Sequence, residues 1–126
     1  MEPSAHILLI DDDLDSLHVH RTVLEHAGFE VETANDGISG IRACRGGRPQ
    51  LVLLDLMMPG MDGGQVLQQL RQDERTKTTP VIALTGVPEW LQDHREVSSE
   101  FDGVLLKPVP HEVLIRTVAR LLAASA

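Results

Sequence analysis

The sequence predicts an α/β domain in which a parallel sheet is covered by helices on both faces, and three observations carry that expectation. Five short apolar runs recur, HILLI (6–10), VETA (31–34), LVLL (51–54), VIAL (81–84) and VLL (104–106), with helical spacing between them. Such alternation suits parallel pairing, because parallel neighbours need a crossover and the crossover is usually a helix. The runs ILLI, LVLL and VIAL are continuously apolar, as strands buried on both faces are. Finally, polar residues follow several of these runs, and open parallel sheets bind ligands beyond the carboxyl ends of their strands.

Taken in order, HILLI forms the first strand and empties into Asp11, Asp12 and Asp13, of which Asp13 is placed to cap a helix starting near Leu14. In that helix Leu17, Leu24 and Ala27 share a face, and Gly28 is placed to end it in a left-handed conformation. His20 falls on the same buried stripe and His18 does not, so a packed core-edge imidazole, not a two-histidine metal site, is predicted. In EVETA, Glu30 and Glu32 alternate with Val31 and Thr33, which places the second strand at a sheet edge, where charges discourage edge-to-edge pairing. GGRP (46–49) is a connecting loop before the third strand, which delivers Asp55 into the turn LMMPGMDG. There Pro59 and Gly60 set a bend, and Gly63 and Gly64 let backbone approach closely. Val66, Leu67 and Leu70 mark the third helix, DERTKTTP (73–80) a loop, and the fourth strand ends on Thr85. The fifth strand ends on Lys107 and Pro108, and Leu114, Val118, Leu121 and Leu122 repeat at i, i+4, i+7, i+8 in the last helix.

With 126 residues the chain is expected to form a single domain spanning 1–126. Its 11 Lys+Arg against 19 Asp+Glu give a formal net charge of −8, which offers no basic footprint for nucleic acid or anionic membrane. The single Cys44 cannot form an intrachain disulfide and reads as a buried helix residue. The N-terminal MEPSAHILLIDDD has too short an apolar stretch for a signal peptide or membrane span, so a cytoplasmic protein is expected.

Each acid alone could be a cap or a solvated loop residue. Together, the strands converge them at one edge of the sheet. Two like charges about 4 Å apart at an effective dielectric near 20 repel by roughly 4 kcal/mol, against a net domain stability of only about 5 to 15 kcal/mol. Either a carboxyl pKa rises or a cation resides there, and hard oxygen ligands on short loops suit Mg²⁺. DDDLDSLHVHRT fails as a calcium loop, because its sixth residue is Ser16 and its twelfth Thr22.

LLIDDD with Asp11 and Asp12, LLDLMMPGMDG around Asp55, ALTG with Thr85 and LLKPV with Lys107 and Pro108, in this order, resemble the receiver domain of two-component response regulators. The resemblance spans nearly the whole chain. It implies a flavodoxin-like, doubly wound (βα)5 fold with strand order 2-1-3-4-5. It also implies that Asp55 accepts a phosphoryl group from a phosphohistidine on a sensor histidine kinase or histidine phosphotransfer protein, and that the domain then acts on a downstream output protein or domain. Mg²⁺ would be held by Asp12, Asp55 and the backbone carbonyl of Met57, with Asp11 acting through a bound water. Lys107 would donate to a phosphoryl oxygen, Thr85 would move to give its hydroxyl to another, and the Lys107–Pro108 bond would be cis. The domain would be a signalling module, catalysing only its own phosphoryl transfer and slow dephosphorylation.

The chain departs from the family at one switch position. Most relatives carry an aromatic residue where this sequence has Val104, and the chain has no tyrosine; its aromatics are Phe29, Trp90 and Phe101. Output is therefore expected to depend more on the loop from Gly86 to Trp90 and on the faces of the fourth helix, fifth strand and fifth helix. The two positions that tune aspartyl-phosphate hydrolysis in the family are Met57 and Val87, neither able to position a water, so a long-lived phosphoryl group is expected. Two rival readings are weaker. A haloacid-dehalogenase-type phosphatase could use Asp11 and Asp13, but the chain lacks length for that family's cap and later acidic motif, and Asp15 stands where a threonine or valine belongs. A non-phosphorylated interaction module would be expected to have lost an acid, and none is missing.

Overall fold

The strands form because their apolar residues fill two layers at once. The computed structural model describes residues 5–125; the first four residues of the N-terminal stretch weighed above, and Ala126, lie outside them. Among the described residues there are five strands, β1 (His6–Ile10), β2 (Glu30–Ala34), β3 (Leu51–Asp55), β4 (Val81–Thr85) and β5 (Gly103–Leu106). The helices are α1 (Leu14–His26), α2 (Gly37–Gly47), α3 (Gly63–Gln72), two short segments α4 (Glu89–Asp93) and α5 (Arg95–Ser98), and α6 (His111–Ser125). All strand pairs are parallel and the order is β2-β1-β3-β4-β5.

Alternate side chains of the central strands face opposite layers. Leu8, Ile10, Val52, Leu54, Val81 and Ala83 pack with Ile41, Val66, Leu67, Leu70 and Trp90, which come from α2, α3 and α4. Ile7, Leu9, Leu51, Leu53, Ile82 and Leu84 pack with Leu17 and Leu24 of α1 and Leu114 and Val118 of α6. Burial of both faces explains the unbroken apolar runs. β2 lies at one edge with Glu30 and Glu32 exposed, as their alternation with Val31 and Thr33 predicts. His20 is buried and His18 exposed, and burial holds the His20 imidazole below its usual pKa. Cys44 is buried and free, and burial pushes its thiol up to about 11. No helix of the described residues is long and apolar enough to cross a membrane.

Two boundaries differ from the sequence expectation. α2 runs two residues into the loop predicted at 46–49, ending where Arg48 adopts φ 45 and its N–H bonds the Cys44 carbonyl. The fourth crossover is not one helix but two short ones. His94, at φ −127 and ψ 49, breaks it. Its ring Nδ1 lies 2.7 Å from the Trp90 carbonyl, and because a carbonyl only accepts, that nitrogen carries the proton. The ring thereby takes the acceptor that the backbone N–H of residue 94 would use in a continuous helix.

Candidate functional site

The strand order reverses between β1 and β3, since the chain leaves β1 toward β2 on one side and returns to β3 on the other. That reversal opens a crevice at the carboxyl ends of these two strands. Asp11 and Asp12 follow β1, and Asp55 closes β3. Backbone bonds continue past the strand ends and fix the acids and the lysine in place: Asp11 N–H donates to the Ala34 carbonyl (3.1 Å), Leu56 N–H to Leu84 (3.0 Å) and Lys107 N–H to Thr85 (2.9 Å).

The side chains meet as the sequence predicts. One carboxylate oxygen from each of Asp11, Asp12 and Asp55 lies within 4.8 Å of the others. Asp11 and Asp55 are only 2% and 6% exposed, whereas Asp12 is open to solvent. Lys107 Nζ, from beyond β5, reaches Asp11 Oδ2 at 2.8 Å and stands 3.9 Å from Asp55 Oδ1. The carboxyls share this one cation unequally. Burial first, and then the charge of Asp11, push the Asp55 carboxyl up to about 7, with Lys107 only partly offsetting them. For Asp11 burial also raises the pKa, but the hydrogen bond from Lys107, the Asp13 N–H and the lysine charge together hold it below the usual range. The crowding expected from sequence is thus expressed as a carboxyl reluctant to ionise, the condition a divalent cation relieves.

Asp13 caps α1, accepting from the N–H groups of Asp15 and Ser16, and so takes no part in the acidic crevice. The Met57 N–H donates to Asp55 Oδ1 at 3.3 Å, and the Met57 side chain is exposed. Thr85 is fully buried; its hydroxyl donates to the Val87 carbonyl (3.2 Å) and accepts from the Val87 N–H (2.9 Å). The hydroxyl is turned into the loop after β4 and bonds neither the Lys107 ammonium nor an acid. Lys107–Pro108 is cis. Val104 is 42% exposed on the β5 edge.

Sequence reading missed how the turn after Asp55 is held. Asp62 and Gln65 form a reciprocal capping box at the start of α3, a signal present in the D-x-x-Q spacing. Behind it, a Cβ on Gly63 would stand 2.8 Å from Leu56 Cα and 2.9 Å from the Asp55 carbonyl oxygen. Those are backbone atoms at the carboxyl end of β3, which cannot step aside. Gly63→Ala is expected to lower stability by about 2 kcal/mol through overpacking, read as a lower urea midpoint at unchanged m-value.

Comparisons with known proteins agree with this geometry. A family model for the response regulator receiver domain matches residues 7–119. The chain is 40% identical over 116 residues to the DNA-binding dual master transcriptional regulator RpaA of Synechocystis, covering 92% of this chain and 48% of RpaA. It is 34% identical over 122 residues to Protein PilH of Pseudomonas aeruginosa, covering 94% of this chain and 98% of PilH. It thus spans about half of RpaA and nearly all of PilH. Among solved structures it superimposes with a TM-score of 0.86 and 29% identity on the receiver domain of the sensor histidine kinase PA1611 from Pseudomonas aeruginosa, covering 95% of this chain and 98% of that one; that domain has a magnesium ion coordinated in its active-site cleft. With the sheet order, the crevice at its reversal and these matches in agreement, the chain belongs to the response regulator receiver domain family, the phosphoacceptor signalling switches of two-component systems.

Proposed function

We propose that Asp55 is the phosphoacceptor, receiving the phosphoryl group of a phosphohistidine on a sensor histidine kinase or histidine phosphotransfer protein, and that the phosphorylated domain then engages a downstream output protein or domain. The observation that carries this reading is the placing of Asp55 between Asp11, Asp12 and Lys107 at the sheet's topological reversal. An Asp55 carboxylate oxygen forms the new O–P bond as the N–P bond to the donor imidazole breaks, and the leaving imidazole takes up a proton. The chain's task is alignment and charge neutralisation.

The three convergent carboxylates fit a hard divalent cation, so Mg²⁺ would be held by Asp12, Asp55 and the Met57 carbonyl, with Asp11 acting through water. When bound it neutralises charge between the acceptor and the incoming phosphoryl group. Lys107, already 3.9 Å from Asp55 Oδ1, shifts from Asp11 to a phosphoryl oxygen. Thr85 gives up its bonds to Val87 and donates its hydroxyl to another. Incubation with a small acyl phosphate and Mg²⁺ is expected to add one phosphoryl mass to the intact chain and none to Asp55→Asn; equal addition to both would contradict the assignment.

Met57 and Val87 expose apolar side chains beside this site and offer no group to orient an attacking water. The phosphoryl group is therefore long-lived, and Met57→Asn is expected to shorten its half-life, followed by the decay of the added mass after donor removal. A short half-life in the parent chain, unchanged by the substitution, speaks against this.

A further inference from the structure

Position 104 carries no aromatic ring, and the chain's single tryptophan, Trp90, lies on α4. Trp90 is 8% exposed, and a Cβ on Gly64 would stand 2.9 Å from its ring, so the indole lies directly on the second residue of α3. Gly63, one residue earlier, is the residue pressed against the Asp55 carbonyl. The indole also stacks on His94, with centroids 4.0 Å apart and planes 13° from parallel, and the His94 ring is tied to the Trp90 carbonyl. The Val87 carbonyl accepts both the Thr85 hydroxyl and the backbone N–H of Trp90 (3.1 Å). Thr85, the turn at Val87, and the indole on Gly64 are therefore linked by consecutive contacts.

From these contacts we infer that Trp90 is the latch of the switch: its ring, seated on Gly64, holds the Thr85–Trp90 loop in the resting position and leaves that seat when Thr85 turns its hydroxyl to phosphorylated Asp55. The inference rests on the proposed roles of Asp55 and Thr85. When the Thr85 hydroxyl leaves Val87, the Val87 N–H and carbonyl each lose a partner, and the first turn of α4 loses the anchor that sets its angle. This five-residue segment has no side-chain N-cap, so it is otherwise held by Trp90, buried in the core beside α3, and by the bond from Ser98 Oγ to the Leu91 carbonyl (2.8 Å). The indole touches Gly64 and stacks on His94, so it must leave that packing as a unit for the loop to move.

The test uses the fact that Trp90 is the only tryptophan and the chain has no tyrosine. Emission and acrylamide quenching are followed on the whole chain before and after acetyl phosphate with Mg²⁺, with intact mass measured on the same samples. The expected result is a shift of the emission maximum to longer wavelength and a larger quenching constant, in proportion to the phosphorylated fraction. In Thr85→Val, phosphorylated to a measured extent, that response is lost; in Thr85→Ser, which keeps the hydroxyl, it returns. Phosphoryl mass with unchanged tryptophan signals, or a full response in Thr85→Val, overturns the latch while leaving Asp55 as acceptor. Absence of any phosphoryl mass overturns the functional reading and the latch with it.

Discussion

Replacing Asp55 by asparagine is expected to stabilise the metal-free protein at pH 8 and to do so much less at pH 5. The Asp55 carboxyl keeps its proton up to about 7 in the folded chain, whereas an unfolded aspartate loses it near 3.9. Between those values the folded state binds more protons, so stability is greatest below the unfolded pKa and falls as pH rises toward and through 7. A shift of that size corresponds to at most about 4 kcal/mol at pH 8. Asparagine removes the charge but not the need for polar partners, so a gain of about 2 kcal/mol is expected, or several degrees in Tm. If Mg²⁺ is held as proposed, it is expected to reverse the comparison, stabilising the parent chain by binding only the folded state and the asparagine variant less. A parent whose metal-free Tm is the same at pH 5 and pH 8, matched by the variant at both, would rule this account out. Asp11 acts in the opposite sense at the acid end, since its lowered pKa contributes stability that disappears as pH falls through it.

Lys107→Met is expected to be strongly destabilising at neutral pH for the complementary reason. Asp11 is 2% exposed, and Lys107 Nζ at 2.8 Å is its ion-pair partner among the described residues. Removing one member of a buried pair leaves an uncompensated charge, typically costing about 3 kcal/mol. Here that charge also faces Asp55. The loss should shrink at pH 5, where the carboxyls can take up protons, and should shrink with added Mg²⁺. Adding Asp55→Asn to Lys107→Met should recover part of the stability, giving a clear interaction term in a double-mutant cycle because the two side chains share one site. Equal losses at both pH values, indifferent to Mg²⁺, would assign Lys107 to packing rather than charge.

Much of this arrangement was legible in the sequence, for identifiable reasons. Apolar runs such as LVLL are unbroken because both faces of β3 are covered, so their number and position give the sheet directly. Glu30 and Glu32 mark β2 as an edge because a central strand could not tolerate them. The convergence of Asp11, Asp12 and Asp55 follows from where each run stops. Less was legible where a long side chain or a single local bond decides the geometry. Lys107 leaves the far edge strand, yet its flexible stem carries the ammonium 96 residues back in sequence to Asp11. The break between α4 and α5 depends on the His94 ring finding the Trp90 carbonyl, which no hydrophobic period records. The contact of Trp90 on Gly64 joins α4 to α3 and emerges only once both pack on β3 and β4.

The most direct test of the central claim is to locate the phosphoryl group itself. The chain is phosphorylated with acetyl phosphate and Mg²⁺, reduced with borohydride, which converts an aspartyl phosphate to homoserine, and mapped by peptide mass spectrometry. Homoserine at position 55 and at no other aspartate is the predicted result. Homoserine at Asp11 or Asp12 with Asp55 intact, or phosphoryl mass carried on a side chain that is not a carboxylate, would contradict it.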